Sequence, residues 1–386
     1  MPAADPDRFR PRFDRHELAG SLGDLGTFLP LLVGMSSQNG LDFGAALFFA
    51  GAFNIVTGLT FAIPMAVQPM KAIAAVALSQ GLTAPQIMAA GITVSAIILV
   101  LGLTGLIGVL DRVVPRSVVR GLQLSLGLTL LSKGVQMVAG THALLGWDSY
   151  ATAVAAALVV LTLVGSRVVP AALVLFAGGV GLALVHDPGV AHQLQLGFTL
   201  PHWSPPAWED FVAAFPTAAL PQIPLTTLNS VIAVCALSGT LFPDRPASTR
   251  RVAVSVGLMN LVAGWFGGMP MCHGAGGLAG QYRFGARTSG SILLLGGAKI
   301  VAAVLFGASL MGLCRGFPVS VLGVMLVFSG LELGAVFRDQ TERADAFVGL
   351  LTAGVSLALN NVGAGFVAGL AVAWLMRAPW VKFERN

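Results

Sequence analysis

Residues 64–78 read Pro64-Met-Ala-Val-Gln-Pro69-Met-Lys71-Ala-Ile-Ala-Ala-Val-Ala-Leu78, two prolines and a lysine set in an otherwise apolar run. Proline disfavours helix in the residue before it and suits the first turn of a new helix. The spacing therefore predicts extended chain over 64–68 and a half-helix starting at Gln68 or Pro69. A second stretch, Gly267-Gly-Met-Pro270-Met-Cys-His273-Gly-Ala-Gly276-Gly277-Leu-Ala-Gly-Gln281, breaks in the same way, with glycines that let the backbone unwind and approach a ligand.

The surroundings of the two breaks match. Asn54-Ile-Val-Thr-Gly58 precedes the first and Asn260-Leu-Val-Ala-Gly264 the second, and Gly51, Pro64 and Met65 map onto Gly257, Pro270 and Met271 at one offset of 206. The solvent for this repeat is lipid. The 386 residues are 55% hydrophobic and 10% charged, with mean hydropathy +0.83, whereas a soluble chain carries about a quarter charged residues. Long Val/Leu/Ala runs and 22 Phe exclude disorder. The net charge of +5 does not indicate nucleic acid, because the basic residues cluster between apolar runs, as in a multispanning membrane protein. The 48 glycines suit helices packed closely in a bilayer. Cys235, Cys272 and Cys314 match no zinc spacing and are too few for a disulfide framework.

A span needs roughly 20 residues, and the apolar runs divide into fourteen, near 20–36, 43–62, 64–80, 85–110, 117–140, 150–166, 168–186, 214–236, 250–267, 270–281, 289–313, 318–335, 344–359 and 361–377. Residues 1–19 read as a cytoplasmic tail lying on the membrane surface, since they lack the apolar core of a signal peptide. Residues 20–186 form the first repeat, 187–213 an extracytoplasmic loop, 214–377 the second repeat, and 378–386 a second cytoplasmic tail. With both termini inside, the cytoplasmic loops hold Arg112 to Arg120, Arg167, Arg245 to Arg251, Arg283 with Arg287, and Arg338 with Arg343. The tails add Arg8, Arg10, Arg12, Arg15, Arg377, Lys382 and Arg385, which leaves only Lys71, Lys133, Lys299 and Arg315 elsewhere. The loop 187–213 has no basic residue and carries Trp203 and Trp208, which suit a headgroup belt. Repeat copies seven spans apart face opposite ways across the bilayer, the arrangement of secondary transporters whose substrate sits near the midplane. The expected fold is an all-α polytopic membrane protein.

Non-helical backbone at membrane depth is tolerated only against protein or a wet cavity. Two breaks in opposed copies predict two half-helix N-termini directed at one cavity. Their free N–H groups and partial positive charge make an anion the natural guest. Lys71 in a first helical turn opposes the helix dipole, and at membrane depth it costs several kcal/mol. A bound oxyanion relieves both penalties; the plainer reading is a lysine that snorkels or pairs with a carboxylate. His273, the one histidine inside a span, is either a donor or titrating group at the site or a satisfied core histidine. Gln68 either donates to the guest or caps its own helix. Asp24 is the carboxylate well inside a span, and it reads as a coupling candidate or as the structural partner of Lys299 or Lys71. Gln222 stands opposite Asp24 in the repeat. Lys299 lies roughly 18 Å beyond Arg287 along a helix, deep enough to need a partner or a cavity. Asn54 and Asn260 read as interhelical hydrogen-bonding residues. Thr27, Gln222, Asn229 and Lys299 are the residues expected around the site. No nucleotide loop, HExxH or nucleophile elbow is present, so no enzyme activity, cofactor or bound metal ion is expected.

Gly23-Asp-Leu-Gly-Thr-Phe-Leu-Pro30, Pro64-Met-Ala-Val-Gln-Pro-Met-Lys-Ala-Ile-Ala-Ala75 and Met269-Pro-Met-Cys-His-Gly-Ala-Gly-Gly-Leu-Ala-Gly-Gln-Tyr-Arg-Phe-Gly285 resemble the molybdate transporters related to SulP sulfate permeases. The likeness runs from about residue 17 to residue 376. It implies a seven-plus-seven inverted repeat in which a core domain (spans 1–4 and 8–11) holds the anion between spans 3 and 10. A gate domain (spans 5–7 and 12–14) supports it. Carried over by position, the resemblance implies Gln68, Pro69, Met70 and Lys71 on one side of the anion and Cys272, His273, Gly274 and Ala275 on the other. It also implies a homodimer through the gate domain. A STAS domain, usual in SulP permeases, is not expected. Wider relatives carry an acid in the eighth span; Gln222 and Asn229 stand there instead, which argues against an acid-coupled step at that position.

The expected function is secondary transport of a tetrahedral oxyanion, molybdate first, with the coupling cation left open between a proton on Asp24 or His273 and others. Sulfate is the nearest alternative. A nucleobase carrier would want a carboxylate beside the breaks, a channel would conduct faster than a carrier turns over, and an intramembrane enzyme would need Asp24 with His273 as its pair.

Overall fold

The computed structural model describes residues 10–166, 169–189 and 196–376. Arg8, Arg167, Arg377, Lys382 and Arg385, with the tail 378–386, lie outside the described residues. Fourteen helical segments correspond to the fourteen expected spans. In the first repeat they are α1 Arg15–Asn39, α2 Phe43–Phe61, α3 Lys71–Gln80, α4 Ala84–Thr104, α5 Arg116–Ala139, α6 Tyr150–Leu163 and α7 Ala171–His186. In the second they are α8 Trp208–Leu241, α9 Thr249–Ala263, α10 Ala275–Arg283, α11 Gly290–Arg315, α12 Val319–Gly334, α13 Arg343–Ala358 and α14 Val362–Leu375. Among the described residues six helices are long and apolar enough to cross a membrane unaided. Short polar signals set the ends: Asp42 caps α2 through Ala45 N–H, Thr83 and Gln86 close a capping box on α4, and Gly40 ends α1 at φ 71°.

Packing repeats with the sequence. In the core domain α2 lies along α11, and α4 lies along α9, one contact made twice by the pseudo-twofold relation. Gly51 allows the first: a Cβ there would stand 2.7 Å from the carbonyl oxygen of Gly296 and 2.9 Å from the amide nitrogen of Ile300. Its counterpart Gly257 lies as close to Leu99 on α4. Gly51→Leu must therefore push α2 off α11, and overpacking of this kind costs about 1–3 kcal/mol; a lowered thermal midpoint of purified protein is the expected result. In the gate domain α5 and α12 form the central pair, with α13 and α14 packed against α5.

The breaks differ from expectation in one respect that matters. The chain is extended before each half-helix, but Val67–Pro69 and Met271–His273 are also hydrogen-bonded strands, β1 and β2. They pair antiparallel with Val67 opposite His273, Gln68 opposite Cys272 and Pro69 opposite Met271, and Met70 N–H donates to Pro270 C=O at 2.9 Å. Two stretches that cannot be helical find in each other the partners that lipid does not supply. The half-helix α3 consequently starts at Lys71, with Met70 as its N-cap, and not at Gln68 or Pro69.

Other boundaries move as well. The fourth span ends at Thr104, where Gly105 takes φ 75°, and Ile107–Val113 is a separate short helix that was expected to be continuous with it. Helix α1 starts inside the segment expected to be a surface tail. Asp14 caps it, and Glu17 is buried, accepting from Arg287 and Thr288 N–H at 2.9 and 2.8 Å just ahead of α11 and from Ser291 N–H at 3.1 Å in its first turn. A carboxylate is favoured there because the first amides of a helix have no internal acceptor. Helix α8 begins at Trp208, earlier than the expected 214, and runs through Pro216, Pro221 and Pro224 by adopting π-type turns at Phe215–Ala219 and Thr226–Ile232.

Candidate functional site

The strand pair lies between the starts of α3 and α10, and alternation along it sends side chains to two faces. Gln68 and Cys272, cross-strand partners, share one face. The Gln68 side chain, 2% exposed, donates through Nε2 to Asp24 Oδ1 and lies over Gly274 and Gly277. A Cβ at Gly277 would sit 2.8 Å from Gln68 Nε2 and 3.0 Å from Asp24 Oδ1, so the bare backbone of α10 is what admits these two groups. Among the described residues, Asp24 Oδ2 and Gln68 Oε1 are buried without hydrogen-bond partners. Cys272 accepts from Ser230 Oγ at 3.0 Å. His273 faces the other way: its Nε2 meets Ser255 Oγ at 3.0 Å on α9, and its ring stands edge-on to Phe61 at 5.8 Å.

The first helices of the two repeats meet the breaks differently. From α1, Asp24 accepts from Gln68 of its own repeat's break and lies against Gly277 of α10 without bonding it; from α8, Gln222 crosses to the other repeat at the start of α3, where Oε1 accepts from Ala72 N–H at 2.8 Å and Ile73 N–H at 3.3 Å. Gln222 Nε2 is held in turn by Thr226 Oγ1 at 2.9 Å. The paired asparagines secure the strands. Asn54 Oδ1 accepts from Val67 N–H at 3.1 Å, while Asn260 accepts from Met271 N–H at 2.6 Å and donates to Met271 C=O at 2.7 Å. Asn260→Ala leaves both Met271 groups bare inside the protein. At about 1–3 kcal/mol for each unsatisfied buried group, the thermal midpoint of the variant should fall further than that of Asn54→Ala.

A cavity of about 480 Å³ opens between the core and gate domains. From the core it is lined by Thr27 of α1, Lys71 of α3, Asn229 of α8 and Gly276, Gly280 and Arg283 of α10. From the gate come Gln123 of α5, Val160 of α6, and Ser329 and Glu332 of α12. Of the expected site residues, Lys71, Thr27 and Asn229 therefore meet the cavity directly. Gln68, Pro69, Met70, Cys272, Gly274, Ala275, Gln222 and Asp24 build the paired strands and helix starts that carry it. His273 and Lys299 point elsewhere. Lys299 is buried with Nζ 3.6 Å from the Phe28 ring centroid and no hydrogen-bond acceptor among the described residues, so it is not ion-paired with Asp24. Sequence reasoning passed over Glu332, an acid at the end of the twelfth span, and Arg283, which had been assigned to a loop.

The comparisons with known proteins agree with this architecture. A family described as "Molybdate transporter of MFS superfamily" matches residues 16–130 and 214–333, which hold both breaks. "Molybdate transporter 2" of Arabidopsis thaliana is 40% identical over 404 residues, 94% of this chain and 87% of the relative. "Molybdate transporter 1" of Chlamydomonas reinhardtii is 36% identical over 465 residues, 92% and 90% of the two chains. Among solved structures, the transmembrane domain of a cyanobacterium bicarbonate transporter, BicA, superimposes with a TM-score of 0.68 at 15% identity, covering 92% of this chain and 97% of that one. Murine Solute Carrier 26 family member A9, an anion transporter in the inward-facing state, gives 0.66 at 14% identity, covering 94% and 68%. The last two show a shared fold; the first three show descent. The chain is an integral membrane protein with the seven-plus-seven inverted-repeat fold, and it belongs to the molybdate transporter family.

Proposed function

We propose that the protein is a secondary active transporter of molybdate, bound as the oxyanion in the cavity between the core and gate domains. The observation that carries the reading is the placement of Lys71. It is a lysine in the first turn of a half-helix, where the dipole opposes it, and it lines a cavity that also reaches the start of the opposed half-helix α10. A tetrahedral dianion offsets the lysine charge and takes hydrogen bonds from the bare amides. The names and identities of the relatives support molybdate as the cargo.

We infer alternating access in which the core, joined through the strand pair, shifts as a body against the α5–α12 pair; the separate packing of the two domains supports this reading. The described cavity reaches Ser166, Arg283 and Phe284, on the face where the Arg-rich loops gather. By the positive-inside rule that face is cytoplasmic, so the conformation is inward-facing. Importing a dianion against an inside-negative potential costs about 2.3 kcal/mol per charge per 100 mV, so a cation must travel with it. We assign the coupling proton to Asp24, because its carboxylate lies against Gly277 at the start of α10, whereas His273, whose Nδ1 like Asp24 Oδ2 has no partner among the described residues, is on the opposite face of the strand pair against Ser255 and Phe61. The test is uptake of labelled molybdate into proteoliposomes of purified protein under an inward proton gradient. Saturable, gradient-driven uptake competed more strongly by molybdate than by sulfate is expected. Stronger competition by sulfate would reassign the cargo, and no saturable uptake would overturn the reading.

A further inference from the structure

The two half-helices do not present the same chemistry to the cavity, although the repeat makes their backbones alike. At α3, two of the first three amides are taken: Ala72 and Ile73 donate to Gln222 Oε1, a side chain that is 2% exposed and is itself fixed by Thr226. At α10 the amides of Ala275, Gly276 and Gly277 find no acceptor among the described residues, and the first acceptor inside that helix start is used by Leu278. Gly276 lines the cavity. Gln68 and Asp24 lie against the adjoining Gly274 and Gly277, and their buried Oε1 and Oδ2 are likewise unpartnered among the described residues.

We propose that Gln222 is a permanent cap that removes α3's backbone from anion recognition, so that the oxyanion takes its amide hydrogen bonds from Ala275, Gly276 and Gly277 of α10 alone, while α3 contributes only the Lys71 ammonium. The site is one-sided: directional donors from one repeat, a point charge from the other. The reason lies in the acceptors. Gln222 is neutral and keeps its hold at any pH, so the anion has no incentive to displace it; bringing a dianion to amides that already have a good acceptor gains little over leaving them paired. Asp24, the residue in the equivalent position toward α10, is engaged by Gln68 and leaves the α10 amides open. Gln222 is on this account a positioning residue, setting where along the axis between the two half-helices the anion sits. The inference rests on the cavity being the molybdate site.

Hydrogen exchange on the unmodified protein separates the cases. Peptides covering 71–74 and 275–278 are followed by mass spectrometry in detergent, with and without saturating sodium molybdate, after calorimetry has established binding. Without the anion, Ala72 and Ile73 should already exchange slowly and the α10 amides fast. Molybdate should slow exchange at 275–278 by about tenfold or more and change that at 71–74 by less than about twofold, since a newly occupied amide gains protection and one already bonded does not. Equal new protection at both segments would overturn the one-sided assignment while leaving the site intact. Protection at neither, with binding shown by calorimetry, would place the anion elsewhere and remove this inference together with the site. A second measurement uses Gln222→Glu, which preserves the length and the two accepted hydrogen bonds. A carboxylate there sets a negative charge beside Lys71, and molybdate affinity should fall by about tenfold or more through like-charge opposition. Undiminished affinity in that variant would show that the start of α3 lies out of the anion's reach.

Discussion

Lys71→Ala raises the molybdate concentration for half-maximal uptake by about 30-fold or more while leaving the protein as stable as before, or slightly more so. The first half of that expectation comes from the charge. Removing one partner of a desolvated charge pair costs about 2–5 kcal/mol, and each 1.4 kcal/mol is about tenfold in affinity. The second half comes from the helix. Lys71 is the first residue of α3, with two of that helix's leading amides capped by Gln222 and not by the lysine. Taking a cation away from the positive end of a helix is favourable by about 0.3–1 kcal/mol. A structural lysine would give the reverse pattern, lowered stability with uptake reduced only in step with folded protein. Uptake kinetics in proteoliposomes and a thermal melt on the same preparation decide between them, and an unchanged half-saturation concentration would remove Lys71 from the site.

Asp24→Asn abolishes accumulation but not exchange. The asparagine carbonyl still accepts from Gln68, so the strand that carries Gln68 keeps its support, while the titrating group is gone. For a dianion at 100 mV the electrical cost is about 4.6 kcal/mol, or more than about 1,000-fold in concentration ratio, and no uncoupled carrier can work against it. Uptake driven by an imposed proton gradient should therefore drop to background. Counterflow, in which labelled molybdate enters against unlabelled molybdate already inside, needs no proton and should persist. Gradient-driven accumulation retained by the variant would move the coupling step to another residue.

What could be read from the residues alone was whatever depends on near neighbours along the chain. Pro64, Pro69 and Pro270 forbid continuous helix locally, and the shared spacing of Asn54 and Asn260, Gly51 and Gly257 exposes the repeat, so the two breaks and their opposed directions were legible. The β pairing was not. Val67 meets His273 only through tertiary placement, and three-residue strands carry no periodic signal of their own. That omission propagated to His273, because a side chain's direction on a strand is fixed by register, and register was unknown. Gln222 was visible as a polar residue opposite Asp24, but its hydrogen bonds cross from one repeat to the other and leave no trace in spacing. Glu332 was legible in principle, an acid within a span. Nothing in its spacing shows that α12 brings it to the cavity, which depends on how the gate packs against the core.

The β1–β2 contact also has a temporal side. Its two strands are separated by some two hundred positions, and ribosomes add about 5–20 residues per second. Between roughly 10 and 40 s therefore elapse after residues 67–69 are made before residues 271–273 exist to receive them. Over that interval the earlier strand has no companion for its peptide groups, and hydrocarbon will not hold it in that condition. It must wait in the translocation machinery or among its own neighbours. The proposed anion pocket consequently cannot begin to close until more than two thirds of the chain has been made, and a nascent chain halted before residue 271 lacks one of its two walls.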